Sequence, residues 1–323
     1  DWCPADIAFF ALTLGCYDPR THGRESSYSS SGGPPMVSVC VPTSQKRHCF
    51  HPQLYENFQR QDYEPKELVV VDTGTKPSEF LENKAREDPR VIYRFFRAED
   101  AREDRIQEAR RQAALRHALS LRLSKGGNFK GRGKGKMLET SMMAAPGMGP
   151  YSGLVLCARE EIRKGAWSLG LKRNVACHLS RGDVIAHFDD DDLYAPFYLS
   201  FMLERLLDAL KKRESGGKAA KDICSTPAVA PYPPAVATLS EWHMLDVSDF
   251  TFRYMDPKRD PRVLEEWRKP MIYGYGFSYI FTRRAWDVGP FPDIETCEDD
   301  IFMESHRRRG TLVELIELPK GKS

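Results

Sequence analysis

Residues 184–196 read Val-Ile-Ala-His-Phe-Asp-Asp-Asp-Asp-Leu-Tyr-Ala-Pro, an apolar run followed directly by four consecutive aspartates. The apolar part is typical of a buried strand. Four adjacent carboxylates repel one another, so a fold tolerates them best with a cation among them. Because open α/β sheets bind ligands beyond the carboxyl ends of their strands, this stretch predicts a site for metal and phosphate.

The spacing within the acid run, Asp189 to Asp192, favours a divalent cation. Asp189 and Asp191 flank one residue, and alternate residues of an extended segment point the same way. Such a pair can share Mg²⁺ or Mn²⁺ with the diphosphate that the ion carries. The alternative is a solvated acidic turn in which a nearby helix N-terminus reduces the repulsion between the carboxylates. The preceding strand, and Pro196 shortly after the acids, favour the metal.

Strands and helices alternate on both sides of this stretch. Strands are predicted at residues 36–42, 67–72, 91–96, 184–188, 237–244, 251–255, 279–282 and 311–318. Helices are predicted at residues 54–61, 77–86 (with Ser78 as N-cap), 103–123, 159–179, 198–213 and 298–309. This alternation predicts an α/β fold with a mostly parallel central sheet flanked by helices.

The predicted organisation is a flexible leader at residues 1–35, then one domain at residues 36–318 with a basic low-complexity insert at residues 97–150. Residues 101–136 hold 11 Lys/Arg and three Asp/Glu, a net charge of +8. A mobile surface loop is the favoured interpretation. An arm for nucleic acid or an anionic membrane is the alternative.

The composition narrows the class of protein. A net charge of +2 on 323 residues does not favour a nucleic-acid partner, although the insert allows membrane association. The eight cysteines form no CxxC pair, which favours free thiols in a reducing compartment and leaves a Cys3–Cys16 bridge open. No stretch approaches the roughly 20 apolar residues of a membrane helix. We expect a cytoplasmic protein or one at the cytoplasmic face of a membrane, although a chain that begins at Asp1 leaves an upstream targeting segment open.

Further polar residues stand where predicted strands end. Pro42-Thr43 and Asp72 would lie beside the acid run, where they could hydrogen-bond a nucleotide base, with turn chemistry as the alternative. Arg173, in Lys172-Arg173-Asn174, could pair with a phosphate or hold the acidic loop; it could equally be an exposed basic residue.

A second acidic group, Cys297-Glu298-Asp299-Asp300, opens the last predicted helix. The helix dipole favours carboxylates at such a position. The functional interpretation is a general base that takes the proton of an incoming hydroxyl.

In this order, the motifs resemble those of GT-A glycosyltransferases of family 2, over roughly residues 36–318. The matching segments are Val41-Pro42-Thr43, Val71-Asp72-Thr73-Gly74-Thr75, Lys172-Arg173-Asn174, Gly182-Asp183, Asp189 to Asp192 with Pro196, and Glu298-Asp299. Thr73 and Lys172 depart from the family pattern. A Gln-x-x-Arg-Trp element is absent, which argues against a processive polysaccharide synthase.

The resemblance implies an inverting, metal-dependent, non-processive hexosyltransferase-like enzyme that takes a UDP- or GDP-sugar and glycosylates a glycan, lipid or protein hydroxyl. It implies Asp299 as base with Glu298 in support, and Asp191 with Asp189 on Mn²⁺ or Mg²⁺. The residues it implies for nucleotide-sugar binding are Pro42, Thr43, Asp72, Arg173, Asn174, Asp189 and Asp190.

Three other functions stay open. One is a non-catalytic module that binds a nucleotide-sugar or a partner on the same fold. Another is a sugar nucleotidyltransferase, which would carry a Gly-rich basic loop after the first strand; residues 43–48 are basic but contain no Gly. The last is a nucleic-acid-associated protein that uses the basic insert.

Overall fold

The computed structural model describes residues 9–11, 33–97, 167–215, 232–246 and 248–319. Apart from residue 97, the predicted basic insert lies outside these residues, as does the predicted leader apart from residues 9–11 and 33–35. Within the described ranges, no helix combines the length and the apolar character that a membrane crossing requires. Cys40, Cys49 and Cys177 are free thiols, while Cys3 and Cys16 lie outside the described residues.

The secondary structure follows the predicted alternation. The strands are β1 Phe9–Ala11, β2 Val37–Ser44, β3 Lys66–Gly74, β4 Val91–Arg97, β5 Val184–His187, β6 Leu193–Tyr194, β7 Ala235–Leu239, β8 Trp242–Asp246, β9 Thr251–Met255, β10 Ile280–Thr282 and β11 Leu312–Ile316. The helices are α1 His51–Arg60, α2 Glu79–Glu87, α3 Leu169–Leu179, α4 Tyr198–Ser215, α5 Glu265–Tyr273, α6 Arg283–Val288 and α7 Glu298–Arg308, with 3₁₀ turns at Gln45–Phe50 and Gly276–Ser278.

Among the described residues, seven strands form the central sheet, in the order β11-β7-β10-β5-β2-β3-β4. β2 pairs in parallel with β3 and β5, β3 with β4, and β7 with β11. β10 runs antiparallel to both of its neighbours, β5 and β7. A smaller sheet has the order β6-β1-β8-β9. The predicted fold class, α/β with a mostly parallel central sheet flanked by helices, is confirmed.

Both faces of the central sheet are buried, because successive residues of its strands point to opposite sides. Val39 and Val41 belong to one apolar cluster, which also receives side chains from α1, α2 and α4. Cys40, between them, belongs to a second cluster with side chains from α3, α6 and α7. The near-continuous apolar runs in the sequence therefore reflect strands that are covered on both faces.

Some boundaries differ from prediction for local reasons. Ser78 caps α2 as predicted, since its hydroxyl accepts from the Leu81 amide at 3.4 Å. The helix predicted to begin at residue 159 is helical only from Leu169 within the described residues, because Ser168 is its N-cap and accepts from the Leu171 amide at 3.1 Å. The predicted strand 237–244 is divided at Ser240, whose amide turns to the Ile316 carbonyl at 2.9 Å.

His306 on α7 makes stability depend on pH. Its ring is fully buried, with Nε2 3.2 Å from the Gly289 carbonyl and Nδ1 3.2 Å from the Thr311 hydroxyl. Burial lowers the pKa of His306 to about 4. Between pH 6.5 and pH 4, the His306 ring is protonated in the unfolded chain but neutral in the folded chain. The free energy of unfolding therefore decreases as the pH falls from 6.5 towards 4.

We expect the free energy of unfolding of wild type to be higher than that of His306→Gln, and this difference to be largest at pH 7.5. By pH 4.5 that difference should shrink by about 2–3 kcal/mol. Urea unfolding at both pH values measures it, and the subtraction cancels the titration of groups that the two proteins share. A difference that is constant with pH would show that His306 titrates normally.

Candidate functional site

The carboxyl ends of β2, β3 and β5 form one edge of the central sheet, and most of the predicted site residues meet there. Thr43 and Asp72 lie opposite each other in the parallel register of β2 and β3. Cys40 lies opposite His187, the last residue of β5, so the acid run begins beside the end of β2. Thr43 Oγ1 donates to Asp190 Oδ2 at 2.5 Å. This hydrogen bond connects the first strand directly to the acid run.

The four aspartates of the acid run occupy different environments. The side chain of Asp189 is 38% exposed and that of Asp191 is 17% exposed, whereas Asp190 and Asp192 are buried. Burial raises the pKa of Asp192, and raises that of Asp190 to about 6. Asp192 Oδ2 has no hydrogen-bond partner among the described residues. Burial thus disfavours the charged form of these carboxylates, and a cation bound among them would favour it.

Asp72 is fully buried, and two side chains donate hydrogen bonds to one of its oxygens. Its Oδ2 accepts from Tyr93 OH at 2.6 Å and lies 2.8 Å from His48 Nε2, which carries the proton because a carboxylate only accepts. Its Oδ1 has no partner among the described residues. One oxygen of Asp72 is therefore held in place, while the other is buried and lacks a hydrogen-bond partner among the described residues.

Arg173 connects the acid run to the second acidic group. Its Nε donates to Glu298 Oε1 at 3.0 Å, its Nη1 lies 3.0 Å from His187 Nδ1, and its Nη2 lies 3.8 Å from Asp189 Oδ1. The guanidinium is 3% exposed, and Glu298 is equally buried. Burial raises the pKa of Glu298 to about 7, against the effect of the Arg173 charge. Arg173 is thus a buried bridge between the two predicted acidic motifs.

Asp299 is held by backbone amides at the start of α7. Its Oδ2 accepts from the Gly276 amide at 3.0 Å, and its Oδ1 accepts from the Asp300 amide at 2.8 Å. Burial raises the pKa of Asp299, which brings this carboxylate closer to the basicity of an acid–base catalyst. A Cβ on Gly276 would lie 3.0 Å from Arg173 Nη2 and 3.2 Å from Asp299 Cβ, so a larger residue would disturb both groups.

The described contacts of two other predicted nucleotide-sugar residues are not with the acid run. Asn174 donates from Nδ2 to the Phe291 carbonyl at 2.8 Å, and its Oδ1 accepts from the Trp286 indole at 2.9 Å. Its amide therefore anchors the segment before α7. Pro42 is buried within β2, opposite Val71 of β3.

The structure also places at this site several residues that were not predicted from the sequence. Arg47 contacts both Asp190 and Asp191, at 2.6 and 2.5 Å. Gln53 donates to the carbonyl of Asp191 at 3.2 Å, and His48 and Tyr93 hold Asp72. The available signal was the basic segment that follows β2, which carries Arg47 and His48. The sequence contains no comparable signal for Tyr93.

The residues present fit a divalent cation that arrives with its phosphates. Asp189 and Asp191 offer the carboxylate oxygens that Mg²⁺ and Mn²⁺ prefer, and they are the two more exposed members of the acid run. In the part of the chain that the structure describes, no group of three or more His, Cys, Asp or Glu side chains is arranged to hold a metal. Sites that use one or two carboxylates commonly take their remaining ligands from water and substrate phosphates.

No protein-family model and no curated protein matches this chain. Among solved structures, it is similar to S. aureus TarS 1-349 in complex with UDP, at 12% identity and a TM-score of 0.46, over 88% of this chain and 59% of that chain. It is similar to the mannosyltransferase PcManGT from Pyrobaculum calidifontis in complex with GDP-Man and Mn²⁺, at 15% identity and a TM-score of 0.39, over 92% of this chain and 59% of that chain.

A third similar structure is glucosyl-3-phosphoglycerate synthase from Mycobacterium tuberculosis, in complex with Mn²⁺, UDP and phosphoglyceric acid. The identity is 12% and the TM-score 0.41, over 88% of this chain and 69% of that chain. The chain thus spans about three fifths of the length of TarS 1-349 and of PcManGT. All three of these proteins were crystallised with a nucleoside diphosphate or a nucleotide-sugar, and PcManGT and the synthase also with Mn²⁺.

Proposed function

We propose that this chain is an inverting, metal-dependent, non-processive glycosyltransferase that moves a sugar from a nucleotide-diphospho-sugar to a hydroxyl acceptor. The observation that carries the proposal is the convergence of three acidic elements at one edge of the sheet. They are Asp72, the acid run and the Glu298–Asp299 pair, and Arg173 bridges the last two through Asp189 and Glu298. Displacement at an anomeric carbon is assisted by a metal ion that stabilises the leaving diphosphate and by a base that takes the proton of the acceptor. A pair of carboxylates can hold the metal, and a separately held carboxylate can act as the base.

The donor nucleotide would bind beside Asp72. The unpartnered Oδ1 of this residue can accept from a base N–H or a ribose hydroxyl, while His48 and Tyr93 hold the other oxygen. A buried acceptor left without a partner costs about 1–3 kcal/mol, so a ligand that supplies the donor recovers this free energy. Thr43 would contribute through its hydrogen bond to Asp190, which connects the nucleotide end of the site to the acid run.

Asp189 and Asp191 would hold a Mn²⁺ or Mg²⁺ ion, which neutralises charge on the leaving diphosphate without proton transfer. Both carboxylates are partly exposed at the edge of the sheet, as such a role requires. Arg173 lies behind Asp189 and adds a fixed positive charge there.

The transfer itself would be a single displacement. The acceptor oxygen forms a bond to the anomeric carbon, the bond from that carbon to the phosphate oxygen breaks, and the nucleoside diphosphate leaves with the electron pair. Asp299 takes the proton of the acceptor hydroxyl. The two amides that hold its oxygens fix its orientation, and Glu298 supports it through Arg173.

The acceptor in this proposal is a hydroxyl of a glycan, lipid or protein. Membrane association through the basic insert stays a prediction, because residues 98–166 lie outside the described residues.

Nucleotide binding is the first test of this function. We expect UDP or GDP, together with Mn²⁺, to raise the Tm by several degrees, since a ligand at 100 times its Kd stabilises a fold by about 2.7 kcal/mol. Thermal shift of the full chain with each nucleotide, in Mn²⁺ and in EDTA, measures the effect.

The matched control for that test is a pair of Asp→Asn variants. Asp72→Asn should lose most of the nucleotide-induced shift, whereas Asp208→Asn, which changes a partly exposed carboxylate on α4, should retain it. No shift with any nucleoside diphosphate, in any buffer, would contradict the proposed function.

A further inference from the structure

The 3₁₀ turn Gln45–Phe50, which follows β2, places a fixed cation over the acid run. The turn is tied to the loop after β3, because Gln45 Oε1 accepts from both the amide and the hydroxyl of Thr75 at 2.8 Å. His48, in the same turn, holds Asp72. Arg47 lies between these two anchors, and its guanidinium packs over the Phe50 ring at 5.4 Å. The backbone around Arg47 is therefore anchored on both sides.

Arg47 bridges two consecutive carboxylates of the acid run. Its Nε donates to Asp190 Oδ1 at 2.6 Å, and its Nη2 lies 2.5 Å from Asp191 Oδ1. The side chain is 34% exposed, whereas Asp190 is buried. With Arg173 near Asp189, the two arginines between them face three of the four aspartates.

The contact between Arg47 and Asp191 conflicts with a site in which Asp191 binds only the divalent cation. Asp191 is the carboxylate that we assign to the divalent cation, yet Arg47 occupies its Oδ1. A guanidinium and a divalent cation repel each other when they share one carboxylate. Because Nε and Nη2 contact different aspartates, Arg47 can release Asp191 while it retains Asp190.

We propose that Arg47 is an internal counter-cation that competes with the divalent cation for Asp191 and yields it when a nucleoside diphosphate is bound. The proposal rests on the proposed function, since the diphosphate supplies the negative charge that accommodates both cations. Arginine binds phosphate oxygens through its planar fork, so the released Nη2 gains a new partner. Free metal therefore binds weakly, and metal and diphosphate bind cooperatively; this coupling is reciprocal.

Mn²⁺ titration followed by the electron paramagnetic resonance of the free ion tests this directly, on the full chain. We expect Arg47→Gln to bind Mn²⁺ alone about tenfold more tightly than wild type. The gain in Mn²⁺ affinity on adding UDP or GDP should be smaller in this variant than in wild type. Arg60→Gln removes an exposed arginine of α1 that pairs with Glu56, and it should behave as wild type.

Arg47→Lys keeps the test decisive if the glutamine variant does not fold. A lysine ammonium is a point charge that does not span two carboxylates as the planar guanidinium does, so this variant should also bind Mn²⁺ more tightly, by a smaller factor. Equal or weaker Mn²⁺ affinity in the folded Arg47 variants would overturn the inference, even if nucleotides bind. Failure of every nucleotide to bind would contradict the proposed function instead, while tighter Mn²⁺ binding by Arg47→Gln would still support the competition.

Discussion

Replacing Asp299 by Asn is expected to lower kcat by about 10²–10⁴-fold while nucleotide binding persists. Asparagine keeps the size of the side chain and an oxygen for the Gly276 amide, but it does not take a proton at neutral pH. Release of UDP or GDP from the corresponding sugar nucleotides, with water as the acceptor, measures turnover without knowledge of the natural acceptor. Thermal shift by the nucleotide measures binding in the same preparations.

The neighbouring carboxylate is the control for this prediction. Asp300 lies in the same first turn of α7, and burial raises its pKa to about 6, with Lys269 and Arg307 as its nearest compensating charges. Asp300→Asn should therefore reduce turnover much less than Asp299→Asn. Full turnover of Asp299→Asn would exclude this residue as the base. Nucleotide binding without turnover in wild type, over a panel of sugar nucleotides, would favour the non-catalytic binding module.

Arg173→Gln is expected to reduce the free energy of unfolding by about 3–5 kcal/mol, because it leaves the buried Glu298 carboxylate without its cation. The arginine has 3% of its side chain exposed, so water does not replace the lost partner. Urea unfolding at pH 7.5 measures the loss. A loss below about 1 kcal/mol, the level of an exposed ion pair, would mean that Glu298 takes up a proton or finds another partner when Arg173 is absent.

A double variant separates the charge pair from packing. Arg173→Gln combined with Glu298→Gln removes both charges, so its loss of stability should be smaller than that of Arg173→Gln alone. Arg173→Lys should restore stability incompletely, because a single ammonium does not reproduce the three directions in which Arg173 contacts Glu298, His187 and Asp189.

The order of elements and the edge at which the site lies could be predicted from the sequence, because both depend on local signals. The apolar runs identify β2, β3 and β5, and polar residues after an apolar run identify strand ends. Parallel pairing then brings Thr43, Asp72 and the acid run to one edge. These inferences need no knowledge of which distant side chains touch.

The contacts that complete the site depend on distant pairs and could not be predicted in this way. Arg47 and Asp190 are 143 residues apart, and Arg173 and Glu298 are 125 residues apart. The direction of the Asn174 side chain could not be predicted from the motif for a different reason. Successive helical residues point about 100° apart, so Asn174 does not face the acid run when its neighbour Arg173 does, and it anchors Phe291 instead.

The antiparallel direction of β10 has a consequence for how such a site can diversify. Because this strand runs against β5, its beginning lies at the edge where β5 ends, and the His187 amide donates to the Tyr279 carbonyl there at 2.8 Å. The edge thus comprises two independent stretches of polypeptide, one from β2, β3 and β5 and one from Gly276 onwards into α7. The buried Arg173 connects them. Substitutions in the later stretch can therefore alter the surroundings of Asp299, while the earlier stretch keeps Asp72 and the acid run in place.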